Sequence, residues 1–380
     1  MDALTRLAGL SAPMNLEPDG EPGSNTLTRR QQDAICISQA QMPNGRQITM
    51  LKTLLTSACE RNCFYCPFRS GRDFHRATLT PDEMAGAFMA IQRAGVAQGI
   101  FLSSGIAAGG LRTQDRLLAT AEILRQKYRF PGYVHLKLMP GAEKAQVERA
   151  MQLADRVSLN LEAPNSQRLE KLAPTKVFLE ELLQPLRWVH EIRSAQPASR
   201  GWQGRWPSMT TQFVVGAAGE SDLELLSTTA ALQAQLGLAR AYFSAFNPIP
   251  DTPLENLPAE APLRQHRLYQ ASFLLRDYGF GLEDLPFQSD GGLPRDVDPK
   301  TAWARQNIAG APLEVNRAGR NELLRIPGIG PRSADAILNA RCRSPLRSLD
   351  DLRHIGIRPD RAAPYILLDG RQAPRQLSLW

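Results

Sequence analysis

"ITMLKTLLTSACERNCFYC", residues 48–66, joins an apolar run to a loop that gathers Cys59, Cys63 and Cys66 within eight positions. The run through Thr56 reads as a β-strand. A helical run follows, "TPDEMAGAFMAIQRAGV" (80–96), with Thr80 as N-cap, Glu83 three residues on and Pro81 in the first turn. The same alternation then continues. "GIFLSSG" (99–105), "YVHLKLM" (133–139), "RVSLNLE" (156–162), "MTTQFVVG" (209–216) and "RAYFSAF" (240–246) read as strands. Helical runs at 113–129, 142–154, 176–194 and 221–236 lie between them. Six strands alternating with helices predict a parallel α/β sheet, open or closed into a barrel. Active sites of such sheets lie at the C-terminal strand ends. The cysteine loop follows the first strand, so it belongs to that face.

The chain has 380 residues, and no apolar run of eighteen, which excludes a membrane helix. Its start, "MDALTRLAGLSAPMNLEPDGEPGSN", lacks a basic stretch leading into an apolar one, so a cytoplasmic location is expected. Five cysteines in this length are no disulfide framework and are expected to be reduced thiols. Residues 1–28 carry Pro, Gly and polar residues without periodicity and are expected to be disordered. Residues 286–311 are rich in turn formers and read as a linker. A different unit is expected over 312–370, with an internal repeat: "ELLRIPGIGPRSADAIL" (322–338) aligns with "DDLRHIGIRPDRAAPYIL" (350–367). Residues 311–380 hold twelve Arg, no Lys and seven acids, so five of the chain's seven net positive charges sit there. An Arg-only basic module on a nearly neutral body points to a polyanion, nucleic acid above all, against the alternative of a merely solvated basic surface.

Three thiols on one loop are one short of a structural zinc site, and neither Cys36 nor Cys342 is placed to complete it. A catalytic zinc would want a His–Glu pair nearby, and only His75 is close. Iron–sulfur clusters take one thiolate per iron, so three on a four-iron cube leave one iron open. Here the CxxxCxxC loop resembles that of the radical SAM superfamily, including the aromatic Tyr65 before the third Cys, with Phe64 beside it. The resemblance implies a 4Fe–4S cluster on Cys59, Cys63 and Cys66 whose open iron chelates S-adenosylmethionine (SAM). One electron then splits SAM into methionine and a hydrogen-abstracting 5′-deoxyadenosyl radical.

It further implies SAM-binding groups at later strand ends. Ser103, Ser104 and Gly105 stand where the superfamily usually has a Gly-Gly-Glu-like run. They offer acceptors to the SAM ammonium but include no acid, and a plain strand-to-loop turn is the alternative. Asn160 and Glu162 alternate with Leu159 and Leu161, so both project to one side, where burial is costly unless something binds them. Ribose or sulfonium contacts are expected there. "VVGAAGESD" (214–222) resembles the superfamily's GxxGE run. Gly216 and Glu220 are therefore expected near the adenosine, with a cap on the following helix as the alternative for Glu220 or Ser221. His135 and Lys137 share a strand face, as substrate-side or core groups. Cys36 and Cys342 are inert thiols, or one is a hydrogen donor.

"LLRIPGIGPRSADAI" (323–337) resembles a helix–hairpin–helix motif, with Gly328, Ile329 and Gly330 as the hairpin and Arg332 and Arg325 adding charge. The second copy is centred on Gly356-Ile357, followed by Arg358. Such motifs hold DNA phosphates on a helix N-terminus without reading bases, and some dock proteins instead. The tail "QLSLW" resembles the peptide with which bacterial repair factors dock on the sliding clamp, through Gln376, Leu377, Leu379 and Trp380. Its alternative is an end that folds back on the body.

Together, "CERNCFYCPFR", "FLSSG", "VHLKLMPG", "SLNLE", "LEKLAPTK" and the hairpins resemble the DNA modification/repair radical SAM proteins, whose genes are often linked to a uracil-DNA-glycosylase-like protein. The resemblance covers roughly residues 45–370. It implies a partial (β/α)6 TIM-like barrel over 29–285, then a small all-α tandem helix–hairpin–helix domain. The implied enzyme draws on a low-potential electron donor and acts on a modified or damaged DNA nucleotide taken out of the stack. Two rivals stand: an enzyme acting on RNA or another non-DNA substrate with hairpins that recruit a protein, and a non-enzymatic DNA-binding scaffold with a structural metal.

Overall fold

A computed structural model describes residues 3–11, 36–41 and 47–372. The chain divides into two compact units: Met1–Glu220 with Ala231–Ala261, and Ser221–Ala230 with Pro262–Trp380.

The first unit is built on a seven-stranded sheet in sequence order. Its strands are β1 (Ile37–Gln41), β2 (Gln47–Leu54), β3 (Gly99–Ser103), β4 (Tyr133–Lys137), β5 (Arg156–Ser158), β6 (Ser208–Val215) and β7 (Arg240–Ala245). β2 to β7 are parallel, at the six places the alternation predicts. β1 pairs antiparallel with β2 and was not expected, because its residues ISQAQ show neither an apolar run nor alternation. β1 and β7 are the two edges, so the sheet is open. It curls nonetheless: one cavity is lined by side chains of all seven strands, which a flat sheet does not permit. This half-barrel is the expected partial barrel with one strand added.

Local signals place the helices. The Thr80 hydroxyl accepts from the Glu83 N–H, and the Glu83 carboxylate accepts from the Thr80 N–H at 2.9 Å, the reciprocal box read from sequence. The helix Pro81–Arg93 then buries Met84, Phe88 and Ile91. The helix Gly110–Glu122 widens into a π-turn, Ile123–Lys127. There Arg125 enters the interior, donating to the carbonyls of Leu153, Phe130 and Gly132 and to Asp155 at 3.0 Å. Burial outweighs Asp155 and lowers its guanidinium to about 10.

The expectation of disorder over 1–28 fails for residues 3–11; residues 12–28 lie outside the described residues. Ala3–Ser11 is a helix whose Leu7 and Leu10 are fully buried. The Ser11 hydroxyl accepts from the Cys36 N–H at 2.7 Å and donates to the Lys52 carbonyl at 2.8 Å. Pro/Gly content described the following residues and hid this amphipathic turn. Cys36 is buried and Cys342 is exposed.

The second unit departs from the expected boundaries. It takes Ser221–Ala230 and the chain from Pro262 on, both reaching into the span assigned to the barrel. The expected linker contains the helix Pro299–Asn307, and Ala304 and Ile308 join the same core as Leu323, Ile329, Ile337 and Ile357. The unit is also not all-α, since β8 (Leu313–Glu314) pairs in parallel with β9 (Ile366–Leu367). The first repeat forms two helices, Arg320–Arg325 and Pro331–Arg341. The second forms only Leu349–His354 followed by a 3-10 turn at Ala363–Tyr365. Pro364 has no N–H to continue a helix, which ends the copy early.

Among the described residues no helix is long and apolar enough to cross a membrane. Replacing Leu10 by Ala is expected to destabilise the first unit by about 3 kcal/mol, the usual cost of an emptied core site. Urea unfolding of the L10A variant would show it as a lowered midpoint; an unchanged midpoint would mean that the N-terminal helix does not contribute to this core.

Candidate cluster and cofactor site

The loop after β2 has little secondary structure, so its backbone groups need partners from elsewhere. The Leu55 N–H donates to the Ser103 carbonyl at 2.8 Å, the Gly105 N–H to Thr56 at 2.7 Å and the Glu60 N–H to Ile106 at 2.8 Å. These bonds tie the loop to the C-terminal end of β3. On its other side the Phe64 N–H donates to Leu172 at 2.7 Å, and Arg61 binds the Thr175 carbonyl and the Glu181 carboxylate. Arg76 gathers the carbonyls of Ser57, Phe68 and Arg69 within 3.1 Å, holding both ends of the cysteine run. Gly105 fits because it lacks a side chain: a Cβ there would lie 2.3 Å from the Ala58 oxygen.

Within this frame Cys59, Cys63 and Cys66 line one cavity together with Tyr65, Ser103, Ser104, Gly105, Asn160 and Glu162. Nine expected site residues thus meet, from three separate stretches of chain. The cavity adds Arg61 and Lys176, which sequence reasoning did not single out, and Lys137, which it left as a substrate-side or core group. Cys63 is buried; Cys59 and Cys66 are half-buried. The Cys66 sulfur accepts from the Phe68 N–H at 3.4 Å.

Lys176 is the electrostatic centre. Its ammonium lies 2.9 Å from the Glu162 carboxylate, with both side chains under 10% exposed. Burial works against that cation, but Cys63, Glu162 and Cys66 outweigh it and hold it above its ordinary pKa. Burial likewise pushes the Cys63 thiol up, with Lys176 opposing. The Tyr65 hydroxyl is raised well above its usual range, first by burial and then by Glu162, to which it donates a hydrogen bond. Lys176 was hidden in "LEKLAPTK"; nothing in that run marks one lysine as inward.

Asn160 and Glu162 do share the cavity, though not by strand alternation. β5 stops at Ser158, and Glu162 takes φ 65°, a left-handed conformation that is strained for a non-glycine residue. Asn160 accepts from the Lys137 ammonium at 2.5 Å. Gly216 and Glu220 are not among the cavity residues. Gly216 turns the chain at φ 100°, and the buried Glu220 carboxylate accepts from the N–H groups of Gly216 and Ala218 at 2.5 and 3.2 Å. Glu220 thus closes its own turn rather than capping the next helix, where the Ser221 hydroxyl accepts from the Glu224 N–H at 3.2 Å.

In the second unit Gly328 and Gly356 take φ 82° and 81°, each followed by a buried isoleucine, Ile329 and Ile357. Gly330 then caps the helix that begins at Pro331. Arg332 and Arg358 are exposed. Arg325, expected to add free charge, is engaged with Asp284 at 2.8 Å and packed over Phe280 and Trp303. Gln376, Leu377, Leu379 and Trp380 lie outside the described residues.

Residues 53–225 match the Radical SAM superfamily. This is a radical SAM domain. Such domains are catalytic and take a 4Fe–4S cluster and SAM, so the chain is an enzyme with those cofactors. Solved structures similar to the chain include methylornithine synthase, at 16% identity and TM-score 0.47, covering 60% of this chain and 61% of that one. The FeFe-hydrogenase maturase HydG from Carboxydothermus hydrogenoformans matches at 17% identity and TM-score 0.46, over 60% and 51% of the two chains. A radical SAM methyltransferase from Sphaerobacter thermophilus matches at 16% and 0.44, over 66% and 80%. The chain thus spans less than two thirds of the first two. No curated protein matches it.

The residues of the radical SAM domain fit the cluster. Among the described residues no three His, Cys, Asp or Glu side chains converge on a single ion. Three thiols that share a cavity without meeting at a point suit separate irons of one cluster, and Lys176 offsets their negative charge.

Replacing Lys176 by Met would strand the buried Glu162 carboxylate and is expected to cost about 3–5 kcal/mol. Replacing Glu162 by Gln in the same chain should return most of that loss. A double-mutant cycle from urea unfolding tests the pair, and additive effects would mean that the two are not coupled. Gly105→Ala is expected to push the cysteine loop off β3 and to lower iron bound per chain after anaerobic reconstitution; a full complement of iron would refute the close fit.

Proposed function

We propose that the chain is a radical SAM enzyme acting on DNA, in the modification or repair of a modified or damaged nucleotide. The observation that carries this reading is that one chain holds both the three-thiol cavity and a glycine–isoleucine turn leading into a helix N-terminus with the exposed Arg332 beside it. In the second unit, Gly328 permits the turn, Ile329 anchors it in the core, and the first N–H groups after Pro331 are left to face an anion. A phosphate fits that end, with Arg332 adding charge. Gly356, Ile357 and Arg358 repeat the turn, without a full second helix.

When bound, the cluster supplies one electron to SAM, whose cleavage gives methionine and a 5′-deoxyadenosyl radical that takes hydrogen from the substrate. The chain's own residues provide the rest. Cys59, Cys63 and Cys66 would hold the cluster, one thiolate to each of three irons. Lys176 balances their charge from a buried position beside Glu162. Ser103, Ser104, Tyr65, Asn160 and Glu162 offer polar groups to the SAM ammonium and ribose. Gly216 and Glu220 act at one remove, by fixing a turn after β6. A low-potential donor supplies the electron. The sliding clamp, through residues 376–380, and a uracil-DNA-glycosylase-like protein are the proposed protein partners.

Anaerobically reconstituted enzyme is expected to release 5′-deoxyadenosine faster with one member of a panel of damaged oligonucleotides than with undamaged DNA. Equal rates with every DNA would count against DNA as substrate. Duplex binding by the full chain should weaken steeply with salt, and R332Q should lower the slope of log K against log salt by about 1. A flat salt response would favour a protein-docking role for the second unit.

A further inference from the structure

The stretch Asp298–Lys300, inside the expected linker, makes contacts that no sequence pattern announces. Lys300 is buried, and its ammonium donates to the Ile329 carbonyl at 2.5 Å and lies 4.6 Å over the Tyr278 ring. Ile329 stands between Gly328 and Gly330, so a buried lysine grips the middle of the first glycine–isoleucine turn. The following helix cannot satisfy that carbonyl. Its own ladder starts one residue later, where the Gly330 carbonyl accepts from the Ala334 N–H at 2.8 Å. Among the described residues Lys300 is the donor to Ile329, and a buried carbonyl left without one is costly.

The turn is closed from other sides as well. The Tyr278 hydroxyl lies 3.2 Å from where a Cβ on Gly330 would be. A Cβ on Gly328 would lie 3.1 Å from the Arg361 Cβ and 3.8 Å from the Arg358 carbonyl oxygen, so the second repeat packs on the first turn. Arg361 in turn binds the Asp298 carboxylate and donates to the Thr301 hydroxyl at 3.1 Å. Asp298 also caps the helix Pro299–Asn307, accepting from the Thr301 N–H at 3.0 Å. One short stretch thus holds both repeats, Lys300 the first and Asp298 the second.

The charged groups facing Lys300 are Asp298, on its own helix, and Arg361, from the second repeat. Burial lowers the Lys300 ammonium to about 7, with Asp298 opposing and Arg361 assisting. Burial works against the Asp298 carboxylate, but the bonds from Thr301 and the charge of Arg361 hold it below its usual range. Burial and Asp277 push the Tyr278 hydroxyl up.

We propose that Lys300 is a positioning residue for phosphate at the first turn: it fixes the Ile329 carbonyl, and with it the course of the chain into Pro331, and it sets a positive charge behind the helix start. The inference rests on the DNA reading above and adds to that site a residue outside both repeats. A phosphate held at the turn favours the charged lysine, so binding takes up a proton. Lys300 loses its proton as pH rises through about 7, and duplex affinity falls with it.

Fluorescence anisotropy of a labelled, undamaged duplex with the full-length, cluster-loaded protein at fixed salt tests this. The wild type is expected to lose affinity by about threefold or more between pH 7 and pH 9. Lys300→Met should bind about tenfold more weakly at pH 7, the size of a lost bond to a charged group, and show none of that fall. Lys300→Arg, which stays charged, should retain most of the affinity and keep it to pH 9. Slopes common to all three chains belong to other groups. Hydrogen exchange on Lys300→Met without DNA guards against a folding artefact. Exchange should quicken over residues 326–333 while the core at Ile337 and Ile357 stays protected. Wild-type affinity in Lys300→Met, a fall with pH that Lys300→Arg keeps in full, or exchange raised through that whole core would overturn the proposal and leave the DNA reading standing. No duplex binding by the wild type would sink the DNA reading, and this inference with it.

Discussion

Three thiolates and a carboxylate do not share one cavity unless a cation sits among them. Lys176 meets that constraint, 2.9 Å from Glu162 and held charged by Cys63 and Cys66 as well. Without it, deprotonating the cysteines would add negative charge beside an uncompensated carboxylate. With it, three thiolates can be presented together, which is what a cluster held at three corners demands. The pair also explains why Glu162 tolerates φ 65°: its position is set by the ammonium it meets and by the backbone bonds on either side, from the Glu162 N–H to Gln212 at 2.9 Å and from the Val214 N–H to Glu162 at 2.8 Å.

That electrostatic arrangement works only if an irregular loop is held still. The loop borrows order from its neighbours. β3 takes its near side through Ser103, Thr56 and Gly105, and the segment around Thr175 takes its far side through Asn62 and Arg61. Arg76 serves as an internal strut, satisfying carbonyls that no strand or helix reaches. The same segment near Thr175 carries Lys176, so the bonds that position the thiols also position their counter-charge.

The first unit separates its charges by depth. The cavity at the strand ends mixes thiols, an acid and cations, and Lys52, Lys137, Arg156 and Arg240 line the lumen beside it. The second unit is organised differently, around isoleucines that anchor two glycine turns in one small core.

The sequence by itself determined everything local in origin. Strand and helix alternation, the box at Thr80 and Glu83, the spacing of the three cysteines and the paired Gly-Ile turns rest on contacts a few residues apart. Six of the seven sheet strands and the candidate cluster ligands were therefore legible. Tertiary structure decided what depends on distant partners: the Glu162–Lys176 pair, the role of Arg76, and the burial of Arg125, which no periodicity announces. It also decided the misreadings. Residues 3–11 fold because Leu7 and Leu10 find a core. The expected linker folds because Ala304 and Ile308 complete one. Glu220 turns back to its own loop because two backbone N–H groups lie closer than any cofactor pocket. Burial and electrostatic pairing are properties of neighbours in space, and a one-dimensional pattern records them only when those neighbours are also close along the chain.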